Sequence, residues 1–314
     1  MHYLLLLIGF ILIIHSSDVM VDAAKSIAIR LKIPKMLIAL TIVAFGTCAP
    51  EIAISFKSVM GANGSIALAN VIGSCIVNIL LVVAVASILS PIKVKNITIK
   101  KELPLLVLVT MVFAIIITNG LLNKHKFGFL NRADGAILLL LFTLFIAYVI
   151  KLVKNKETSQ KEEAQYGMVK SIAYIITSII VISYSANLIV DNAIIVAENL
   201  GISQKVITMI AIVIGTSLPE LFLTVAAARK KEHEMAIGNI IGTNIFNICV
   251  VLGLPLFIFD GFAITDFSLI DLGVVLIAAL LLYAFAKNDK TLSKKEGLIM
   301  LAIFVIYYSY IIFI

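Results

Sequence analysis

The chain has 314 residues, 61% of them hydrophobic and 14% charged, with a mean hydropathy of +1.13 and a formal net charge of +7. Soluble globular chains carry about 45–50% apolar and about 25% charged residues, so this composition excludes a soluble domain, a disordered chain, a secreted disulfide scaffold and a nucleic-acid-binding module. The basic excess has another home, because membrane proteins gather Lys and Arg in their cytoplasmic loops.

A bilayer core of about 30 Å takes about 20 apolar residues of helix. Ten such runs follow in chain order, at 3–24, 36–57, 65–89, 103–122, 134–152, 170–198, 205–227, 235–259, 268–287 and 297–314. The first lacks a basic leader and a small-residue cleavage site, so it reads as a membrane helix rather than a signal peptide. Lys154–Lys170, KNKETSQKEEAQYGMVK, reads as a flexible charged linker. Cys48, Cys75 and Cys249 lie in apolar runs without C-x-x-C spacing, and buried thiols are expected. With the first residue outside, twenty of the 25 Lys and Arg fall on inner ends and loops. This positive-inside bias places both termini outside and the linker in the cytoplasm.

Two segments recur at one offset. IVAFGTCAPE (42–51) matches AIVIGTSLPE (211–220), and ALANVIGSCIVN (67–78) matches AIGNIIGTNIFN (236–247), both 169 residues apart. Five helices per half is an odd number, so the second half must enter the membrane from the other side. The fold expected is an all-α membrane protein of ten transmembrane helices in two inverted-topology five-helix repeats. Its parts are residues 1–153 with a motif at 44–78, a cytoplasmic linker at 154–169, and residues 170–314 with a motif at 213–247. Transporters of this plan place their site near the midplane.

Glu51 and Glu220 lie deep in apolar helices at equivalent positions, with no basic residue one turn away. Intramembrane carboxylates normally face a partner or an aqueous path, and a cation from outside the protein is the natural partner. Pro50 and Pro219 precede them, and Gly46 and Gly215 stand four residues before the prolines. Proline removes one helix hydrogen bond and clashes with the carbonyl four back, so both helices are expected to kink and to free carbonyls near 44–47 and 213–216. Thr47 and Thr216 lie four residues before each glutamate, and Cys48 and Ser217 three before, on the same helix face. The next helices add Ser74 with Asn78 and Thr243 with Asn247, both at i, i+4, and Asn70 and Asn239 nearby. Gly73 and Gly242 permit close helix approach. This all-oxygen set suits hard cations such as Ca²⁺ and disfavours transition metals.

Other polar positions read as structural. Asp18, Asp22 and Asp191 are expected to cap or bridge helices, His15 (equivalent to Tyr184) to be a packed polar aromatic, and Tyr307, Tyr308 and Tyr310 to form an interfacial belt.

GTCAPE (46–51) with ANVIGSCIVN (69–78), and GTSLPE (215–220) with GNIIGTNIFN (238–247), resemble the paired alpha repeats of the calcium/cation antiporter superfamily, in particular prokaryotic sodium/calcium exchangers. The resemblance covers both halves. It implies Glu51 and Glu220 as central ligands, with Thr47, Ser217, Ser74 and Thr243 lining calcium and sodium sites. The carbonyls of Ala44 and Val213 would assist, and Asn78 and Asn247 would lie mid-cluster. Helices 1 and 6 would slide against the rest. Cys48 and Thr243 stand where the family usually carries serine, and Asn247 where it carries aspartate, leaving two acids in the cluster. The resemblance thus implies a non-enzymatic antiporter exchanging Ca²⁺ for Na⁺ in the cell membrane, with Ca²⁺/H⁺ exchange as the alternative. No cofactor is expected beyond the transported ions, nor a nucleic-acid partner, and the chain is expected to act as a monomer. An intramembrane enzyme would need a nucleophile or metal set that the near-symmetric motifs lack, and a passive channel would conduct far above carrier rates.

The orientation is testable by introducing one thiol at a time. A membrane-impermeant maleimide applied to intact cells should label Lys57→Cys and spare Lys230→Cys; the reverse pattern inverts the topology.

Overall fold

A computed structural model describes residues 1–61, 64–122, 129–154, 163–201, 215–264 and 268–313. Helix α1 (His2–Leu31) runs past the expected residue 24, because AAKSIAIRL continues with helix-compatible residues. It stops at Lys32, whose left-handed φ of 55° lets the chain bond back to the Ala28 and Ile29 carbonyls, and Pro34 bars continuation. The second expected span is two helices, α2 (Lys35–Thr47) and α3 (Ala49–Met60), bent by 48°. Helix α4 (Gly64–Leu89), strand β1 (Ile92–Lys93) and α5 (Thr98–Thr118) follow, then β2 (Phe129–Asn131) and α6 (Arg132–Lys154). Across the linker come α7 (Met168–Asn199), α8 (Leu218–Arg229), α9 (His233–Ile258), β3 (Gly261–Ala263), α10 (Leu269–Asp289), β4 (Thr291–Leu292) and α11 (Lys294–Phe313). Residues 205–214 of the seventh expected span lie outside the described residues. Among the described helices, eight are long and apolar enough to cross a membrane, and the bent α2–α3 pair makes a ninth span.

Apolar side chains cover the outside because lipid is the solvent there, and Leu7, Ile11, Ile176 and Ile180 are among those exposed. The apolar windows of α4 and α9 are 78% and 83% buried, against 33% for α1 and α7. The first two are therefore central, while α1 and α7 form an outer pair packed chiefly along each other. Glycine lets the inner helices touch. A Cβ on Gly242 of α9 would lie 2.7 Å from the Leu40 carbonyl oxygen of α2.

The halves are tied by two small antiparallel ribbons. Strand β1 pairs with β4 through Ile92↔Leu292, and β2 pairs with β3 through Leu130↔Phe262. Each ribbon takes one strand from each half. A carboxylate–tyrosine contact also recurs within each half. Tyr148 of α6 donates to Glu102 of α5, and Tyr307 of α11 donates to Asp271 of α10 at 2.8 Å. Glu102 and Asp271 are separated by the same 169-residue offset.

Several structural expectations change. Tyr307 and Tyr308 are buried and not belt residues, because Tyr307 is drawn inward to Asp271; Tyr310 alone is exposed. His15 and Tyr184 lie exposed on the outer faces of the α1–α7 pair and are not packed. Asp22 does bridge, to Lys230 at 2.7 Å, with Asp18 at 3.9 Å from the same ammonium, whereas Asp191 is exposed. Nearby, Glu232 binds Lys25 at 2.6 Å and Lys35 at 2.8 Å. The last part of the linker is docked, since the Tyr166 carbonyl accepts from Arg30 at 2.6 Å and its ring meets Tyr174 edge-on at 4.9 Å.

The tight α2–α9 contact predicts a cost for bulk. Gly242→Ala should destabilise by about 1–3 kcal/mol, the usual range for overpacking. Gly273→Ala, whose Cβ would meet nothing within 4 Å, should leave the melting temperature of the purified protein unchanged.

Candidate functional site

The two glutamate helices begin alike. The backbone leaves the helix at Cys48 (φ −78°, ψ 4°) and at Ser217 (φ −91°, ψ 3°). Each of these residues precedes a fresh helix whose first turn holds the proline and then the glutamate. A proline in a first turn sacrifices no helix hydrogen bond. The break therefore falls before Pro50 and Pro219, and it brings Glu51 and Glu220 into positively polarised helix starts.

The acids are fully buried, at 0% exposure each, and close enough to repel one another. None of their four oxygens has a hydrogen-bond partner. The halves interact crosswise, Thr216 standing beside Glu51 and Thr47 beside Glu220. On the same and contacting helices further buried oxygens make no hydrogen bond: those of Ser74, Ser217, Thr243, and the amide oxygens of Asn78 and Asn247. Cys48 is buried within reach of both glutamates. Buried polar atoms in folded proteins are almost always bonded, so such a cluster is an acceptor set without its donor. Among the described residues no three His, Cys, Asp or Glu side chains group to hold a metal. Carboxyl, hydroxyl and amide oxygens are the donor set that hard cations take.

Direct interactions bring together Glu51, Glu220, Thr47, Thr216, Cys48 and Thr243, while Ser217, Ser74, Asn78 and Asn247 are buried on the same or contacting helices. Ala44 departs from expectation. Its carbonyl is not free, because it accepts from the Cys48 N–H and from the Thr47 hydroxyl, both at 3.2 Å; the helix persists up to the break and keeps its ladder. Val213 lies outside the described residues.

Three features escape sequence reasoning. Asn78 and Asn247 each open a π-helical stretch, Asn78–Val83 and Asn247–Leu252, a distortion frequent at functional sites. Asn244 accepts from the Asn78 amide at 3.1 Å, and its equivalent in the first half is Cys75, so the repeat conceals it. Ser55 and Thr224, one turn beyond each glutamate, are fully buried; carrying the 169-residue offset one turn further would find them.

With this site in view, the chain is recognised by family. The sodium/calcium exchanger protein model matches residues 1–151 and 170–313, so the chain belongs to the sodium/calcium exchanger family, a family of cation antiporters. It is similar to the sodium/calcium exchanger MaX1 of Methanosarcina acetivorans, with 30% identity over 97% of this chain and 96% of the relative. It is also similar to the putative antiporter CaxA of Alkalimonas amylolytica, with 35% identity over 98% and 97%. Among solved structures, the sodium-calcium exchanger NCX_Mj soaked with zero Na⁺ and Ca²⁺ matches with a TM-score of 0.83 and 33% identity, over 98% of each chain.

Among the described residues two acids serve the cluster, so each should be indispensable. Glu51→Gln or Glu220→Gln should weaken cation binding by about 3–5 kcal/mol, the cost of removing one partner from a buried ion pair, and flux should fall at least a hundredfold. Isothermal titration with Ca²⁺ measures the first effect and vesicle uptake the second.

Proposed function

We propose that this chain is a secondary antiporter that moves Ca²⁺ outward across the cell membrane against Na⁺ entry. The observation that carries this reading is the pair of buried, mutually repelling carboxyl groups, flanked by Thr216 and Thr47 but answered by no basic side chain among the described residues. Two negative charges are neutralised by one Ca²⁺ or by two monovalent ions. The two loads compete for the same oxygens, and that exclusion couples the fluxes. The relatives named as sodium/calcium exchangers support the choice of ions. No cofactor takes part; Ca²⁺ and Na⁺ bind transiently as cargo.

Ligands are expected from Glu51, Glu220, Thr47, Thr216, Ser217, Ser74, Thr243, Asn78 and Asn247, with Cys48 a softer contributor and the carbonyls of Ala44 and Val213 joining when the break opens. One chain carries both halves of the cluster, which supports action as a monomer. The halves are inverted repeats, both termini outside and the linker cytoplasmic. Alternating access is assigned to sliding of α1 with α7, an outer pair packed chiefly along each other. The ion pairs of Asp22 with Lys230 and of Lys25 with Glu232 join α1 to the α8–α9 turn, and they must part or shift when α1 moves.

Proton counter-transport is the second reading, favoured by Asn247, an amide that keeps the acids at two. Purified protein in vesicles discriminates the readings. Calcium uptake should follow an outward sodium gradient at equal pH on both sides. Uptake driven equally by a pH gradient alone would replace Na⁺ with H⁺.

A further inference from the structure

Away from the cation cluster, the neighbouring ends of α2, α5, α6 and α9 enclose a cavity of about 130 Å³. Pro34, Met36, Leu37 and Leu152 give it apolar walls, while Glu102 and Lys101 line it from the π-helical start of α5. Glu102 is 1% exposed. One of its oxygens accepts the Tyr148 hydroxyl, and Oε2 has no partner. A buried carboxylate oxygen left unbonded is costly, so this cavity lacks a donor. The other acid on its wall, Glu234, is already held by Lys95 at 2.6 Å. Lys101 is exposed beside Glu102 and makes no ion pair among the described residues. All these residues sit at or beside helix ends.

A deep acceptor that calls for N–H donors, an apolar throat and a lysine at the mouth describe one ligand chemistry, a primary ammonium joined by a short link to a phosphate. We propose that the cavity binds the ethanolamine-phosphate headgroup of an aminophospholipid from the adjoining leaflet. The ammonium donates to Glu102 Oε2 and the phosphate pairs with Lys101. Such charge-assisted bonds are stronger than neutral ones, and basic pockets between membrane helices are a known setting for headgroups. A choline headgroup has no N–H to donate. A divalent metal is poorly served, since one free carboxylate oxygen cannot replace its shell of oxygens.

The experiment is native mass spectrometry of the full chain in micelles holding phosphatidylethanolamine, its N-methyl and N,N-dimethyl forms and phosphatidylcholine of matched acyl chains. One ethanolamine lipid should be retained. Retention should fall with each added methyl, to about tenfold weaker for phosphatidylcholine. Glu102→Gln keeps an acceptor for Tyr148 but removes the charge, and should reduce the ethanolamine lipid to the choline level. Lys101→Ala should weaken all four lipids. Equal retention of ethanolamine and choline lipids by the unaltered chain overturns the proposal, as does an undiminished preference in Glu102→Gln. The methylation series is read on the unaltered chain, so it decides the matter even if a variant does not fold. Binding of soluble phosphoethanolamine without any lipid adduct would overturn the lipid as the source. None of these outcomes depends on which ions the cluster exchanges.

Discussion

Two acidic side chains buried in a low-dielectric interior, with no basic side chain among the described residues to answer them, are the constraint around which this protein is arranged. Burying an uncompensated charge costs several kcal/mol after relaxation, and Glu51 and Glu220 also repel each other. The protein gives them helix starts, neighbouring hydroxyls and amides, but no cation of its own. The deficit is filled by whatever ion the cluster loads. A site that contained its own counter-charge would be satisfied and inert; this one is poised to exchange.

The broken helices follow from the same need. An unbroken helix would present each glutamate at mid-span against its own backbone carbonyls. Breaking it at Cys48 and at Ser217 turns a helix start toward each acid, which lowers the cost of the charge. The close approach of α9 to α2 at Gly242 brings Thr243 into the cluster. The π-helical stretches that open at Asn78 and Asn247 shift the phase of the central helices at these buried amides. The ribbons β1–β4 and β2–β3 cross-link the two halves at their margins, so the centre can remain polar without the halves drifting apart.

Much of the site was legible because the sequence states it twice. One offset aligned Thr47 with Thr216, Glu51 with Glu220 and Asn78 with Asn247, and a proline before each glutamate marked the break. What the repeat does not share was hidden. Asn244 faces Asn78 but is matched by Cys75 in the other half, so no pairwise signal pointed to it. A proline inside an unbroken helix would loosen the turn before it and free the Ala44 carbonyl. The helix instead keeps its hydrogen bonds up to Cys48, since the missing N–H at Pro50 belongs to the next helix start.

Sequence alone determined the membrane class, the apolar spans, the twofold repetition and the two acids, because hydropathy and residue identity act locally and repeat in register. Tertiary structure alone decided which side chains meet. It drew Tyr307 inward to Asp271, with Tyr308 packed edge-on against it, and left His15 outside. It docked the end of the linker on Arg30 and set Thr47 beside the glutamate of the opposite half. Those outcomes depend on how helices distant in sequence cross, and crossing is settled by packing, which no single segment encodes.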